Sequence, residues 1–110
     1  SSSAYRIIEA VTEKLEISHY FELIYSAEDE EYGKPHPGIF ITTANKLGMN
    51  PTDCIVFEDS FNGVLAGMSA RMKVVCVPEE MNRNKSKFDI VHLKLNSLVD
   101  FNESSLQQLV

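Results

Sequence analysis

The stretch from Cys54 to Gly63 constrains the fold more than any other part of this 110-residue chain. Its first four residues are apolar and include β-branched types, which is typical of a buried strand. The carboxylates Glu58 and Asp59 follow at once, and the remaining residues favour a turn and the start of a helix. Open α/β folds build their sites in this way, at the carboxyl ends of strands.

Two interpretations of this acidic strand end remain open on its own residues. Carboxylate oxygens at such a place suit Mg²⁺, which prefers hard oxygen ligands. The alternative is an ordinary surface loop that happens to be acidic, with Ser60 and Asn62 serving only as a turn and a helix N-cap.

The rest of the chain alternates between helical and strand patterns. Apolar residues at helical spacing predict helices at 5–15, 37–48, 62–70 and 104–110. Short apolar runs predict strands at 23–26, 54–57 and 73–77, and an edge strand at 90–93. This alternation predicts an α/β fold with a parallel sheet and flanking helices, and the length is enough for one domain over residues 1–110.

Composition excludes several classes of function. The formal net charge is −6, with 16 acidic against 10 basic residues, which argues against nonspecific nucleic-acid binding. No apolar run approaches the length of a membrane span, so we expect no membrane partner. Cys54 and Cys76 lie in apolar runs, and free thiols in a reducing compartment, the cytoplasm, are expected rather than a disulfide.

A second candidate site segment surrounds Lys34. The prolines at 35 and 37 and the glycine at 33 predict a rigid loop that presents this lysine. The chain begins with Ser1-Ser2-Ser3, and serine hydroxyls and backbone N–H groups before a helix are suited to anions. If the strands are parallel, these serines, Lys34 and the Glu58-Asp59 pair converge, and together they predict a phosphate site.

Each of these features also has a simpler explanation. The serines at the start fit a helix N-cap or the remnant of a tag, and Lys34 fits an ordinary solvated lysine. His36 is expected to be structural or substrate-facing, and His19 and His92 to be surface or packing residues without a partner. The acidic block at 28–31 is expected to be a solvated loop.

Taken together, these motifs resemble the haloacid dehalogenase superfamily of phosphohydrolases, and within it the β-phosphoglucomutase-like branch of sugar phosphatases and phosphomutases. The resemblance is carried by the initial serine cluster, by Gly33-Lys34-Pro35-His36-Pro37, and by Val56-Phe57-Glu58-Asp59-Ser60 with Asn62-Gly63. It is strongest to enzymes that dephosphorylate hexose or hexitol phosphates. It extends from Ser1 to about Pro78, and more loosely to the end.

The resemblance implies roles for individual residues. Ser1 is implied as the phosphate-binding hydroxyl, assisted by Ser2, and Lys34 as the catalytic cation that holds the phosphate. Asp59 is implied as a ligand of Mg²⁺, with Glu58 beside it as a direct or water-mediated ligand.

Around these residues, Asn62 is expected to help shape the loop and contact the phosphate. The implied substrate is a small phosphorylated sugar or sugar alcohol.

One departure from the family pattern is large. The family's nucleophile lies in an Asp-x-Asp motif after the first core strand, and no such motif occurs in these 110 residues. The expected fold is therefore a partial core that lacks the first strand and the cap domain. Because phosphoryl transfer through an aspartyl-phosphate needs that nucleophile, we expect this chain alone to be inactive.

The missing part is expected to be supplied by an N-terminal segment, as a separate chain or otherwise, or by a second copy that covers the exposed strand edges. The start without Met agrees with a processed or engineered piece or with an upstream segment. Three other functions stay open: a phosphomutase, a Mg²⁺-binding receiver-like module and a fragment without activity. The order of motifs, with Lys34 before the acidic pair, disfavours the receiver-like module.

Overall fold

A parallel sheet lies at the centre of the fold. The computed structural model describes residues 1–2, 5 and 25–110. Within these residues the strands β1 (Ile55–Glu58), β2 (Lys73–Cys76) and β3 (Leu93–Lys94) are hydrogen-bonded in the order β1-β2-β3. The helices are α1 (Gly38–Lys46), α2 (Phe61–Ser69) and α3 (Glu103–Leu109). The predicted α/β class with a parallel sheet is confirmed.

The register of the sheet brings the strand ends to one edge. Ile55 is paired with Lys73 and Glu58 with Cys76, so β1 and β2 are aligned over their whole length. The Glu58 carbonyl accepts a hydrogen bond from the Val77 N–H at 2.8 Å, which continues the ladder to the end of β1. The backbone at Glu58 is therefore fixed where the carboxylates begin.

Helix α2 covers the sheet and closes the main core. Val64 on α2 and Val74 on β2 are fully buried, and Phe88 is 1% exposed. The Phe88 ring meets the Phe61 ring edge-to-face, with 5.8 Å between the centroids. Burying an apolar side chain of this size stabilises a fold by about 1.5–3 kcal/mol, so this packing holds α2 in place.

Local chemistry sets the helix ends. The Ser60 side chain accepts a hydrogen bond from the Gly63 N–H at 3.1 Å, so Ser60 is the N-cap of α2. The alternative that made Asn62 the cap was wrong, because Asn62 is the second residue of the helix. Gly48 follows the C-cap residue of α1, Leu47, with a φ of +69°, a conformation that glycine adopts without a steric penalty. Asn102 and Ser105 form a reciprocal capping box at the start of α3.

The predicted edge strand at 90–93 was partly wrong. Ile90 ends a 3₁₀ helix, Ser86–Ile90, and the strand is confined to Leu93–Lys94. Phe88 on this short helix is buried in the core. The preceding segment also contains a 3₁₀ helix, at Glu80–Asn82.

Some predictions fall outside the described residues. Of the predicted helix at 5–15, the structure describes only Tyr5, which is helical. Of the predicted strand at 23–26, it describes only the last two residues. His19 also lies there. Among the residues that are described, no helix is both long and apolar enough to cross a bilayer.

Candidate functional site

An ion pair joins the Lys34 loop to the end of β1. The Lys34 ammonium lies 2.5 Å from Glu58 Oε1, and the two side chains are only 15% and 9% exposed. The Lys34 ammonium also lies 5.0 Å from the centroid of the Phe40 ring on α1. A charge-assisted hydrogen bond with so little exposure fixes both side chains, so the lysine predicted from the loop is held at the predicted carboxylate.

The Glu58 carboxylate sits against the first turn of α2. A Cβ atom added at Gly63 would lie 2.0 Å from Glu58 Oε2, so the absence of a side chain there makes room for the carboxylate. The Ser60 hydroxyl donates to the same oxygen at 3.4 Å. The partial positive charge of a helix N-terminus also favours an anion at this place.

A cleft of about 670 Å³ opens beside this ion pair. It is lined by Ser2, Ala27, Gly33, Lys34, Ser60, Phe61, Asn62 and Lys87. Of the residues predicted to bind phosphate, the structure therefore brings Ser2, Lys34 and Asn62 to one cleft. Hydroxyl, amide and ammonium donors around an open space form a surface suited to an anion.

Ser1 lies beside this cleft and does not line it. Its amino group donates to the Tyr25 carbonyl at 3.0 Å, and its carbonyl accepts from the Ala27 N–H at 2.7 Å. This is the bonding pattern of neighbouring parallel strands.

The two predicted metal ligands line a second cleft, of about 330 Å³. It is lined by Phe57, Glu58, Asp59, Val77 and Leu98. Asp59 is exposed, and its side chain forms no hydrogen bond or ion pair with any described residue, whereas Glu58 shares its carboxylate with Lys34.

These two carboxylates fit Mg²⁺ in part. Across the described ranges, no group of three or more His, Cys, Asp or Glu side chains converges. Mg²⁺ is commonly held by one or two carboxylates together with substrate phosphate oxygens and water, so a full cage of protein ligands is not required. Asp59 has the free hard oxygens that such a site needs, and Glu58 could join it only while sharing its charge with Lys34.

A hydrogen-bonded brace supports the Lys34 loop. Glu30 Oε2 accepts from the Tyr25 hydroxyl at 2.5 Å and from the Thr42 hydroxyl at 2.8 Å. The hydrogen bond to Glu30 raises the pKa of Tyr25 to about 12, and the same bond lowers the pKa of Glu30. The expectation that the whole acidic block at 28–31 is a solvated loop was therefore wrong for Glu30, which ties this segment to α1.

The histidines and cysteines have structural surroundings. His36 Nδ1 accepts from the Gly38 N–H at 3.0 Å, in agreement with the structural alternative. The expectation that His92 has no partner was wrong, because its Nδ1 accepts from the Val74 N–H at 3.0 Å. Cys54 and Cys76 are free thiols, as predicted.

Sequence reasoning missed the second lysine of the cleft, Lys87. It lies on the 3₁₀ helix Ser86–Ile90, and its ammonium is 5.1 Å from the centroid of the Phe61 ring. No local pattern distinguishes it from Lys85 two residues earlier, since its place in the cleft depends on how the 3₁₀ helix docks against α2.

Comparison with known proteins identifies the family. Residues 1–71 match the model of the haloacid dehalogenase-like hydrolases, and the chain belongs to this family. The resemblance drawn from the motifs is thereby confirmed.

Named relatives are phosphatases and a phosphomutase. Hexitol phosphatase B of Escherichia coli O157:H7 is 35% identical over 106 residues, which are 96% of this chain and 48% of that protein. Fructose-1-phosphate phosphatase of E. coli K12 is 38% identical over 71 residues, 64% of this chain and 38% of that protein. The crystal structure of β-phosphoglucomutase from Clostridium difficile superposes with a TM-score of 0.83 at 32% identity, over 98% of this chain and 46% of that one. The chain thus spans about half the length of these relatives, or less.

Proposed function

We propose that this chain is the C-terminal portion of the core of a Mg²⁺-dependent phosphohydrolase that acts on small phosphorylated sugars or sugar alcohols. The observation that carries the proposal is the Lys34–Glu58 ion pair at the border of a cleft that also contains Ser2 and Asn62. Phosphatases for hexitol and fructose phosphates among the relatives support the class of substrate.

In this proposal the chain's own residues bind and orient the phosphoryl group. The Lys34 ammonium contacts a phosphoryl oxygen and stabilises the charge that develops in transfer. Ser2, which lines the cleft, and Ser1 beside it donate hydrogen bonds to the other oxygens, and Asn62 lines the same cleft. Asp59, with Glu58 beside it, would hold Mg²⁺, which when bound neutralises phosphoryl oxygens.

The nucleophilic aspartate is proposed to lie outside these 110 residues. Among the described residues, β1 is paired on one side only, and Phe57 on that strand is 45% exposed. Phe40 and Leu47 of the neighbouring α1 region line an apolar groove with Ile55 and Phe57. An N-terminal segment that adds a strand here, from the same polypeptide, a separate chain or a second copy, would cover this edge.

The proposal that another segment or a second copy covers the free edge of β1 can be tested on the 110-residue polypeptide itself. Intact mass spectrometry combined with light scattering should find a larger assembly or an additional chain. A stable monomer of 12.4 kDa, with no other species in the sample, would contradict the proposal.

The activity should be tested on the product of the complete reading frame that contains this sequence. We expect inorganic phosphate to be released from fructose 1-phosphate or a hexitol phosphate in the presence of Mg²⁺, and release to stop with EDTA. Lys34→Met should lower kcat at least about a hundredfold, because a preorganised charge at the transferring group is lost. Lys46→Met, whose ammonium lies over the Tyr25 ring outside the cleft, is the matched control and should stay near wild type.

A phosphomutase is the second candidate, favoured by the superposition on β-phosphoglucomutase. The two activities differ in the acceptor of the phosphoryl group, which is water in a phosphatase and a sugar in a mutase. Chromatography of the products separates them, since only the mutase interconverts sugar phosphates without net release of phosphate.

A further inference from the structure

Lys87 lines the proposed phosphate cleft from a part of the chain that carries none of the motif residues. It lies on the 3₁₀ helix Ser86–Ile90, whereas the other cleft residues come from the start of the chain, the 3₁₀ helix Ala27–Asp29, the Lys34 loop and the start of α2 with its cap. The cleft therefore has two lysines on its lining, Lys34 and Lys87.

Two aromatic rings hold the Lys87 ammonium. It lies 5.1 Å from the centroid of the Phe61 ring and 5.5 Å from that of Phe88. Phe88 is 1% exposed, and Phe61 is the first residue of α2, between the cap Ser60 and Asn62. Cation–π contacts with two packed rings restrict the position of the ammonium group. They do not neutralise its positive charge as a carboxylate would.

The charge balance of the two lysines differs. The Lys34 charge is matched by Glu58 at 2.5 Å. Lys87 forms no ion pair with a carboxylate in the part of the chain that the structure describes. Lys87 therefore adds a net positive charge to the cleft, whereas the positive charge of Lys34 is balanced by the Glu58 carboxylate.

We propose that Lys87 is a substrate-binding residue whose ammonium contacts an anionic oxygen of a phosphate monoester in this cleft. The inference rests on the proposed function for the identity of the cleft, and it adds a contact that the family motifs do not contain. Because a phosphate monoester carries up to two negative charges near neutral pH, a second cation at the cleft strengthens binding.

The test measures binding of inorganic phosphate, which does not depend on turnover. Isothermal titration calorimetry on the product of the complete reading frame gives the Kd for wild type, Lys87→Met, Lys87→Arg and the control Lys85→Met. Lys87→Met should weaken binding about five- to tenfold, the scale of one charge-assisted contact at a partly open site. Lys87→Arg should stay within about threefold of wild type, and Lys85→Met should equal it.

Salt dependence gives a second readout that a purely structural role would not change. The Kd of wild type should rise more steeply with NaCl than that of Lys87→Met, because exposed charges are screened. Thermal unfolding of each variant verifies that the fold is retained, and Lys87→Arg keeps the proposal testable if Lys87→Met does not fold.

The outcomes separate this inference from the proposed function. Phosphate binding that is equal in wild type and Lys87→Met, or that Lys87→Arg weakens as much as Lys87→Met does, would overturn the role of Lys87 and leave the phosphatase proposal standing. Lys87-dependent phosphate binding without hydrolysis of any sugar phosphate would support the role of Lys87 and refute the activity. A wild-type protein that binds no phosphate would refute both.

Discussion

Both lysines of the cleft contact aromatic rings, but among the described residues only Lys34 also forms an ion pair. Lys34 is fixed by a carboxylate, Glu58, in a nearly buried ion pair, and that pair is itself supported by Ser60 and by the space at Gly63. Lys87 is held only by aromatic rings. Lys34 therefore has a well-defined position, but its charge is neutralised by Glu58. Lys87 is less constrained in position, but its charge is not neutralised.

Breaking the ion pair should give the largest loss of stability. Lys34→Met leaves the Glu58 carboxylate, which is 9% exposed, without its cation, and we expect a loss of about 2–3 kcal/mol in the free energy of unfolding. Lys87→Met should cost less than about 1 kcal/mol, because it removes only a cation–π contact. Urea unfolding of both variants measures the difference.

A double variant distinguishes an unpaired charge from lost packing. Adding Glu58→Gln to Lys34→Met should restore part of the stability, because no uncompensated carboxylate then remains. If the double variant is less stable than Lys34→Met alone, the ion pair does not explain the loss.

The space at Gly63 gives the next effect. Gly63→Ala places a methyl group where Glu58 Oε2 now lies, and overpacking of this kind typically costs about 1–3 kcal/mol. Gly33→Ala is the control for stability, because nothing lies within 4 Å of a Cβ atom there. Equal unfolding midpoints for the two variants would contradict the close packing of Glu58 against α2.

The brace beneath the Lys34 loop should contribute less. Tyr25→Phe removes the donor to Glu30, and loss of one such hydrogen bond costs about 1 kcal/mol. Tyr32→Phe, at a side chain that is 57% exposed, should be neutral. Thermal unfolding of the two variants compares them, and a neutral Tyr25→Phe would show that the brace does not stabilise the loop.

The smallest expected effect is a pH dependence of the folding stability that arises from His92. Burial lowers the pKa of His92 from its usual 6.5, and Lys73 lowers it further. The unfolded chain therefore takes up this proton more readily than the folded chain. The stability that neutral His92 provides is complete above pH 6.5 and decreases as the pH falls below that value.

Unfolding midpoints between pH 7.5 and 5.5 should fall less in His92→Gln than in wild type. Glu30 does not interfere in this range, because its lowered pKa affects stability only below its usual 4.5. Parallel curves for the two proteins would contradict the assignment to His92.

Local chemistry made much of this molecule predictable. The apolar run before Glu58, the polar turn residues after it and the glycine at 48 each have a short-range signal. The structure has a strand end, a helix start and a left-handed residue at these places, although the cap is Ser60 and not Asn62. Convergence of Lys34 with Glu58 followed from the general rule that parallel strands share a carboxyl edge.

What could not be predicted depends on contacts distant in sequence. Glu30 lies in an acidic block that looks solvated, and the hydroxyl groups of Tyr25 and Thr42 make it structural. The sequence does not distinguish Lys87 from Lys85. Lys87 lines the cleft because the adjacent Phe88 packs into the core. The partner of His92 is a backbone N–H on another strand, which no spacing along the sequence indicates.

The most direct test of the central claim is Mg²⁺-dependent phosphate release by Asp59→Asn in the product of the complete reading frame. Asp53→Asn, an exposed aspartate just before β1, is the matched control. The account predicts that Asp59→Asn loses at least about a hundredfold in rate and binds Mg²⁺ more weakly by calorimetry, while the control keeps both. Undiminished, Mg²⁺-dependent release by Asp59→Asn would contradict it.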